Sequence, residues 1–120
     1  MDDDLLARLL ASSDLSKEVT ASYDLSQLST YRVGGTAKFF TRISNSTSLE
    51  KISQFISKSD IKVLIVGNGS NLLISDSGFD GLVIQLGEDF ENISVVDQVV
   101  AAGGAVSLPV LARHTVKNGL

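Results

Sequence analysis

Between the apolar runs Val63-Leu64-Ile65-Val66 and Leu72-Leu73-Ile74 stands Gly67-Asn68-Gly69-Ser70-Asn71, the segment whose residue types suit a site better than a scaffold. A glycine-rich turn at the carboxyl end of a strand presents successive backbone N–H groups with no β-carbons in the way. Such a nest holds phosphate oxygens without any charged side chain. Ser70 and Asn71 add a hydroxyl and an amide donor. The segment is not a P-loop, because no Lys stands between Lys62 and Lys117 to supply the Gly-Lys-Ser/Thr ending. Nor is it a Rossmann fingerprint: Leu72 stands where the third small residue belongs, and Leu72 to Ile74 reads as strand where a helix should open. Taken alone, a Gly-x-Gly turn suits a plain structural turn about as well as a ligand. The polar pair squeezed between two apolar runs favours the ligand.

Other candidates carry less. Gly103-Gly104 follows the run Val99 to Ala102 and precedes a helix, so its N–H groups could face an anion or a cofactor ring, or simply make a tight turn. His114, the one imidazole, lies in a helical pattern beside Arg113 and Lys117 and is read as structural. Asp76 and Asp80 flank a glycine and are read as turn formers rather than an acid–base pair. Asp2-Asp3-Asp4 is a charge cluster at a helix start. Tyr31 and Arg32 suit contact with a bound nucleotide and entry into a strand equally, and Phe39, Phe40 and Phe55 are assigned to the core.

The elements that must position these residues follow from periodicity. Leu5, Leu6, Leu9 and Leu10 make a short amphipathic helix over 2–10, and Ser12 to Ser29, rich in Ser, Asp and Thr, reads as an irregular lead-in. Alternation over Ala37 to Ile43 predicts a strand after a bend at Gly34-Gly35. Ser46 or Thr47 then caps a helix to Ser57, with Leu49, Ile52, Phe55 and Ile56 inward. Lys62 to Val66 reads as a strand covered on both faces. It completes a βαβ unit, so a parallel pair with a right-handed crossover is expected. A turn at Gly78-Phe79-Asp80-Gly81 leads to a strand over Leu82 to Leu86, and Ile93–Val96 and Val99–Ala102 form a hairpin around Asp97-Gln98. Val106 to Asn118 is a helix with Val106, Val110, Leu111 and Val116 inward.

Composition mostly excludes. The 120 residues suffice for one core and one site but hardly for two binding lobes. Fourteen acidic against ten scattered basic residues, net charge -4, leave no electrostatic footprint for nucleic acid. With no Cys there is no thiolate zinc site, disulfide or thiol nucleophile, and one His makes any metal site improbable. No signal peptide and no membrane-spanning run is visible, so a cytoplasmic location with no membrane partner is expected. Nothing in the sequence specifies an oligomeric state.

Taken in order, four stretches resemble a known family. They are Thr30-Tyr31-Arg32-Val33-Gly34-Gly35-Thr36-Ala37, then Gly67-Asn68-Gly69-Ser70-Asn71-Leu72-Leu73, then Gly78-Phe79-Asp80-Gly81-Leu82-Val83-Ile84, then Ala102-Gly103-Gly104 leading to Asn118-Gly119-Leu120. Their order and spacing, from about Ser29 to the last residue, are similar to those of the bacterial UDP-N-acetylenolpyruvoylglucosamine reductases of peptidoglycan precursor synthesis. The resemblance implies an α+β, FAD-binding domain of the vanillyl-alcohol oxidase type over 29–120, after a helix and lead-in over 1–28. It implies that Gly67, Asn68, Gly69, Ser70, Asn71 and Leu72 hold the FAD pyrophosphate and that Gly103 lies close to the cofactor. Asn68 stands where many members carry Gly, and Asn tolerates left-handed angles.

FAD is expected to be noncovalent, since the loop lacks His and Cys. The implied reaction moves a hydride from NADPH through FAD to a nucleotide-sugar enolpyruvyl substrate. The serine acid, the glutamate and arginine that polarise the substrate, and the substrate domain lie beyond the motif that Gly119-Leu120 begins, so no catalytic residue is assigned. The expectation is therefore an N-terminal piece of a longer reductase, inactive alone, with apolar surface exposed. The alternatives are a related oxidoreductase of the same fold and a noncatalytic binding module.

Overall fold

Alternation along Phe39, Thr41 and Ile43 and the unbroken run at Val63 build one mixed sheet, seen in a computed structural model that describes residues 19–28, 32–67 and 73–120. Strands β1 (Val19–Asp24), β2 (Thr36–Ile43), β3 (Val63–Val66) and β4 (Phe79–Leu86) lie in the order β1-β2-β4-β3. β1 runs antiparallel to β2, while β2 and β3 both run parallel to β4. β5 (Ile93–Val96) and β6 (Val99–Ala102) form a separate antiparallel pair, and the helices are α1 (Ser46–Ser57) and α2 (Leu108–Lys117). The architecture is α+β.

Each face of the four-stranded sheet has its own core. On one, Phe39, Ile43, Leu82 and Ile84 pack against Ile52 of α1, with Leu49, Phe55 and Ile56 alongside. On the other, Ala37, Phe40, Val66 and Val83 meet Leu25 and Leu28, with Tyr23, Leu64 and Ile74 at the margin. Tyr23 stacks on Phe40 with ring centroids 3.9 Å apart. Fully burying side chains such as Leu25, Ile52 and Leu82, each at 0% exposure, contributes about 1.5–3 kcal/mol apiece.

Several expectations need correction. Residues 19–24 are not irregular: they pair with β2 from Val19↔Thr41 to Asp24↔Thr36, because Tyr23, Leu25 and Leu28 supply enough apolar surface to seat the segment on the sheet. The expected helix over 2–10 lies outside the described residues. The α1 cap is Asn45, whose Oδ1 accepts from the Ser48 N–H at 2.8 Å, one residue before the capping candidates Ser46 and Thr47. β2 and β3 are parallel but not neighbours, since β4 inserts between them. β3 is therefore an edge strand, and Ile65 is exposed rather than covered.

Leu73 and Ile74 are not strand, and the turn falls at Asp76-Ser77, so that Phe79, Asp80 and Gly81 already belong to β4. Gly78 sits there at φ +79, and a β-carbon on it would overlap the Thr36 carbonyl oxygen. The hairpin is as expected, with Asp97 at φ 54 in its turn. α2 begins at Leu108 rather than Val106. Its Val110 and Val116 are exposed, not inward, and none of its residues is fully buried.

Candidate functional site

Parallel pairing brings three strand ends together. Ile43 of β2 is registered with Leu86 of β4, and Val66 of β3 with Gln85, so β2, β3 and β4 all finish on one side of the molecule. Carboxyl ends of parallel strands are where ligands of such sheets commonly bind. Gly67 leaves β3 at this end. There the Gly87 N–H donates to the Ile43 carbonyl at 2.7 Å and the Asp89 N–H to the Ser44 carbonyl at 3.0 Å, fixing the 3-10 turn Glu88–Phe90.

The second glycine stretch returns to the same place. After the hairpin, the Gly103 N–H donates to the Asn92 carbonyl and the Ala105 N–H to the Phe90 carbonyl, both at 2.9 Å. A β-carbon on Gly103 would overlap the Phe90 carbonyl oxygen, and one on Gly67 would overlap the Gly104 carbonyl oxygen. Thus Gly67 and the Gly103–Ala105 turn, far apart in sequence, touch through their backbones. The residues after Gly104 also line a cavity of about 300 Å³ with Glu91, namely Ala105, Val106, Ser107 and Val110. Of the residues assigned to the cofactor, Gly67 and Gly103 are therefore brought together. Asn68, Gly69, Ser70, Asn71 and Leu72 lie outside the described residues.

The remaining motif residues sit elsewhere. Gly35 donates its N–H to the Ser75 carbonyl at 2.9 Å, which places Arg32 to Gly35 at the amino end of β2, opposite Gly67. Arg32 is exposed at φ 54, and Tyr31 lies outside the described residues. Asp80 is in β4, paired with Lys38 at 2.7 Å. The hydrogen bond and charge of Lys38 hold its carboxyl below the ordinary value of 3.8. His114 is half-buried in α2, and its main-chain carbonyl accepts from the Asn118 side chain at 2.8 Å. Neither belongs to the carboxyl-end cluster.

Sequence periodicity did not single out Arg42, Ser44 and Glu88, which sit at that cluster. Glu88 is held below its ordinary 4.5 by the Ser44 hydroxyl first, then by its backbone hydrogen bond and the Arg42 charge, with Arg42 Nη2 at 3.2 Å. Their only signal was position, Arg42 next to last in β2, Ser44 just past it and Glu88 just past β4. Among the described residues no group of His, Asp and Glu could hold a metal ion, and no helix is long and apolar enough to cross a membrane.

Residues 37–120 match the profile of the FAD binding domain. The chain belongs to the FAD-binding domain family. This FAD-binding domain is 36% identical over 110 residues to the UDP-N-acetylenolpyruvoylglucosamine reductase of Pelagibacter ubique, covering 91% of this chain and 36% of that one. To the reductase of the same name from Bacillus subtilis it is 34% identical over 103 residues, or 86% of this chain and 34% of the relative. The crystal structure of UDP-N-acetylenolpyruvylglucosamine reductase from Thermus caldophilus superposes with a TM-score of 0.58 at 26% identity, covering 85% of this chain and 34% of that chain. The FAD-binding domain thus spans about a third of the length of the relatives it matches.

Proposed function

We propose that this chain is the FAD-binding part of a reductase that converts UDP-N-acetylglucosamine enolpyruvate to UDP-N-acetylmuramate with NADPH, in the cytoplasm, for peptidoglycan precursor synthesis. The observation that carries this reading is the backbone contact between Gly67 and Gly104, which sets the start of one glycine stretch against the other at the carboxyl end of the sheet. The residues fit the group. Neither stretch carries a bulky side chain at the contact, and an acidic chain holds a pyrophosphate by local N–H dipoles rather than by net charge. Gly67, Asn68, Gly69, Ser70, Asn71 and Leu72 would hold the pyrophosphate, with Gly103 beside the cofactor. The attachment is noncovalent, as the chain has no Cys and its one His lies in α2.

When bound, FAD supplies hydride transfer between NADPH and the enolpyruvyl double bond. The residues of this chain bind and orient; the groups that touch the nucleotide-sugar substrate are proposed to lie in the remaining two-thirds of the longer enzyme. Flavin fluorescence titration of the purified chain tests the reading. FAD is expected to bind at least tenfold more tightly than riboflavin, about 1.4 kcal/mol or more, because riboflavin lacks the pyrophosphate. Equal affinity for the two, or no binding of FAD, would count against it. The chain alone is expected to show no NADPH oxidation with the enolpyruvyl substrate.

A further inference from the structure

Gly67 and Gly104 follow strands of two different sheets, yet they meet backbone to backbone. A β-carbon on Gly67 would overlap the Gly104 carbonyl oxygen and stand 3.5 Å from the Ala105 Cα. Gly104 is itself backed by Leu86, whose Cδ1 lies 2.8 Å from the place its β-carbon would take. Leu86 ends β4, so the stack Leu86, Gly104, Gly67 runs from the central strand through the turn to the start of the glycine loop. The hydrogen bonds of Gly103 to Asn92 and of Ala105 to Phe90 prevent the turn from backing away.

We propose that the Gly67–Gly104 contact is a positioning clamp: it fixes Gly67, at the end of β3, relative to the Gly103–Ala105 turn, and FAD affinity depends on it. The proposal rests on the FAD reading above and adds Gly104, together with Leu86 behind it, as positioning residues. Preorganisation of this kind needs no polar side chain, and displacing one backbone by a methyl group loses it. Gly81 offers a matched control. A β-carbon there would overlap the Lys62 carbonyl oxygen, again backbone against backbone, but at the start of the β3–β4 pairing and away from the clamp.

The test measures FAD dissociation constants by flavin fluorescence, thermal stability, and hydrogen exchange at the Gly103, Ala105 and Val106 amides of the FAD-free protein. Gly67→Ala is expected to weaken FAD at least tenfold and to speed exchange at those amides by a similar factor. Gly81→Ala, at a comparable loss of thermal stability, is expected to change both by less than threefold. Gly104→Ala meets only a movable Leu86 methyl and keeps the question open to experiment should Gly67→Ala not fold. It is expected to weaken FAD three- to tenfold, with Leu86→Val restoring affinity in the double variant. Equal effects at Gly67 and Gly81, or no restoration by Leu86→Val, would overturn the clamp while leaving FAD binding intact. A wild-type chain that binds no FAD would overturn the underlying reading instead.

Discussion

Thr41 is the residue at which this core is least economical. It lies in the middle of β2 at 0% exposure, registered between Val19 and Ile84, and its Oγ1 has no hydrogen-bond partner among the described residues. A buried hydroxyl left unpaired costs about 1–3 kcal/mol in desolvation, and valine presents nearly the same shape without it. Thr41→Val is therefore expected to raise stability by about 1 kcal/mol, seen as a higher urea midpoint at unchanged slope. Thr41→Ser keeps the orphan oxygen and removes a methyl group from the core, so it is expected to lower the midpoint. A Thr41→Val midpoint below wild type would show that the hydroxyl is satisfied in solution. Alternation over Ala37 to Ile43 puts Thr41 on the same side as Phe39 and Ile43, but burial without a partner is a property of three packed strands and could not be read there.

At the level of elements, two ion pairs tie neighbouring pieces of chain. Lys38–Asp80 crosses from β2 to β4, and Arg42–Glu88 joins the end of β2 to the 3-10 turn behind β4. Both carboxyls are held below their ordinary values, Asp80 by Lys38 and Glu88 by the Ser44 hydroxyl first, then its backbone hydrogen bond and the Arg42 charge. The unfolded chain then takes up protons near the ordinary values of 3.8 and 4.5 while the folded chain does not. The contribution is full above about pH 5 and is lost as pH falls through the lowered folded values. Asp80→Asn is expected to flatten the acid limb of a melting-temperature profile between about pH 3 and 5 and to leave the neutral plateau almost unmoved, since exposed pairs contribute little. An acid limb as steep as wild type would remove Asp80 from that account.

Element type was largely legible in the sequence, because β2, α1, β4 and the hairpin have clear periods and caps. The misplacements share a cause. Asn45-Ser46-Thr47-Ser48 offers several capping side chains in a row. Phe79-Asp80-Gly81 carries turn-forming residues that pairing with β2 pulls into a strand. Seating β4 between β2 and β3 is a decision of the whole sheet, beyond any local window.

For the molecule as a whole, the glycine stretches were legible as motifs, but their meeting was not, since Gly67 touches Gly104 only after a strand, a hairpin and a turn have all been placed. The same long-range view shows that the chain is unevenly consolidated. The four-stranded sheet is covered on both faces, and Leu82 and Val83 of central β4 are at 0% exposure. The hairpin has one strand on each side of a two-residue turn and no third strand among the described residues, with Val96 at 68% and Val99 at 69% exposed. Two-stranded sheets alone are marginal in water, and local opening follows the scarcity of buried contacts. Amides of 93–102 are therefore expected to exchange at least a hundredfold faster than those of 82–85 at neutral pH, through local opening that leaves the main sheet intact. On the proposed placement of FAD beside the Gly103 turn, the cofactor is expected to slow exchange in the hairpin more than in β4, because only the hairpin has opening left to suppress. Equal protection of the two regions in the FAD-free chain would mean that hairpin and sheet open together as one cooperative unit.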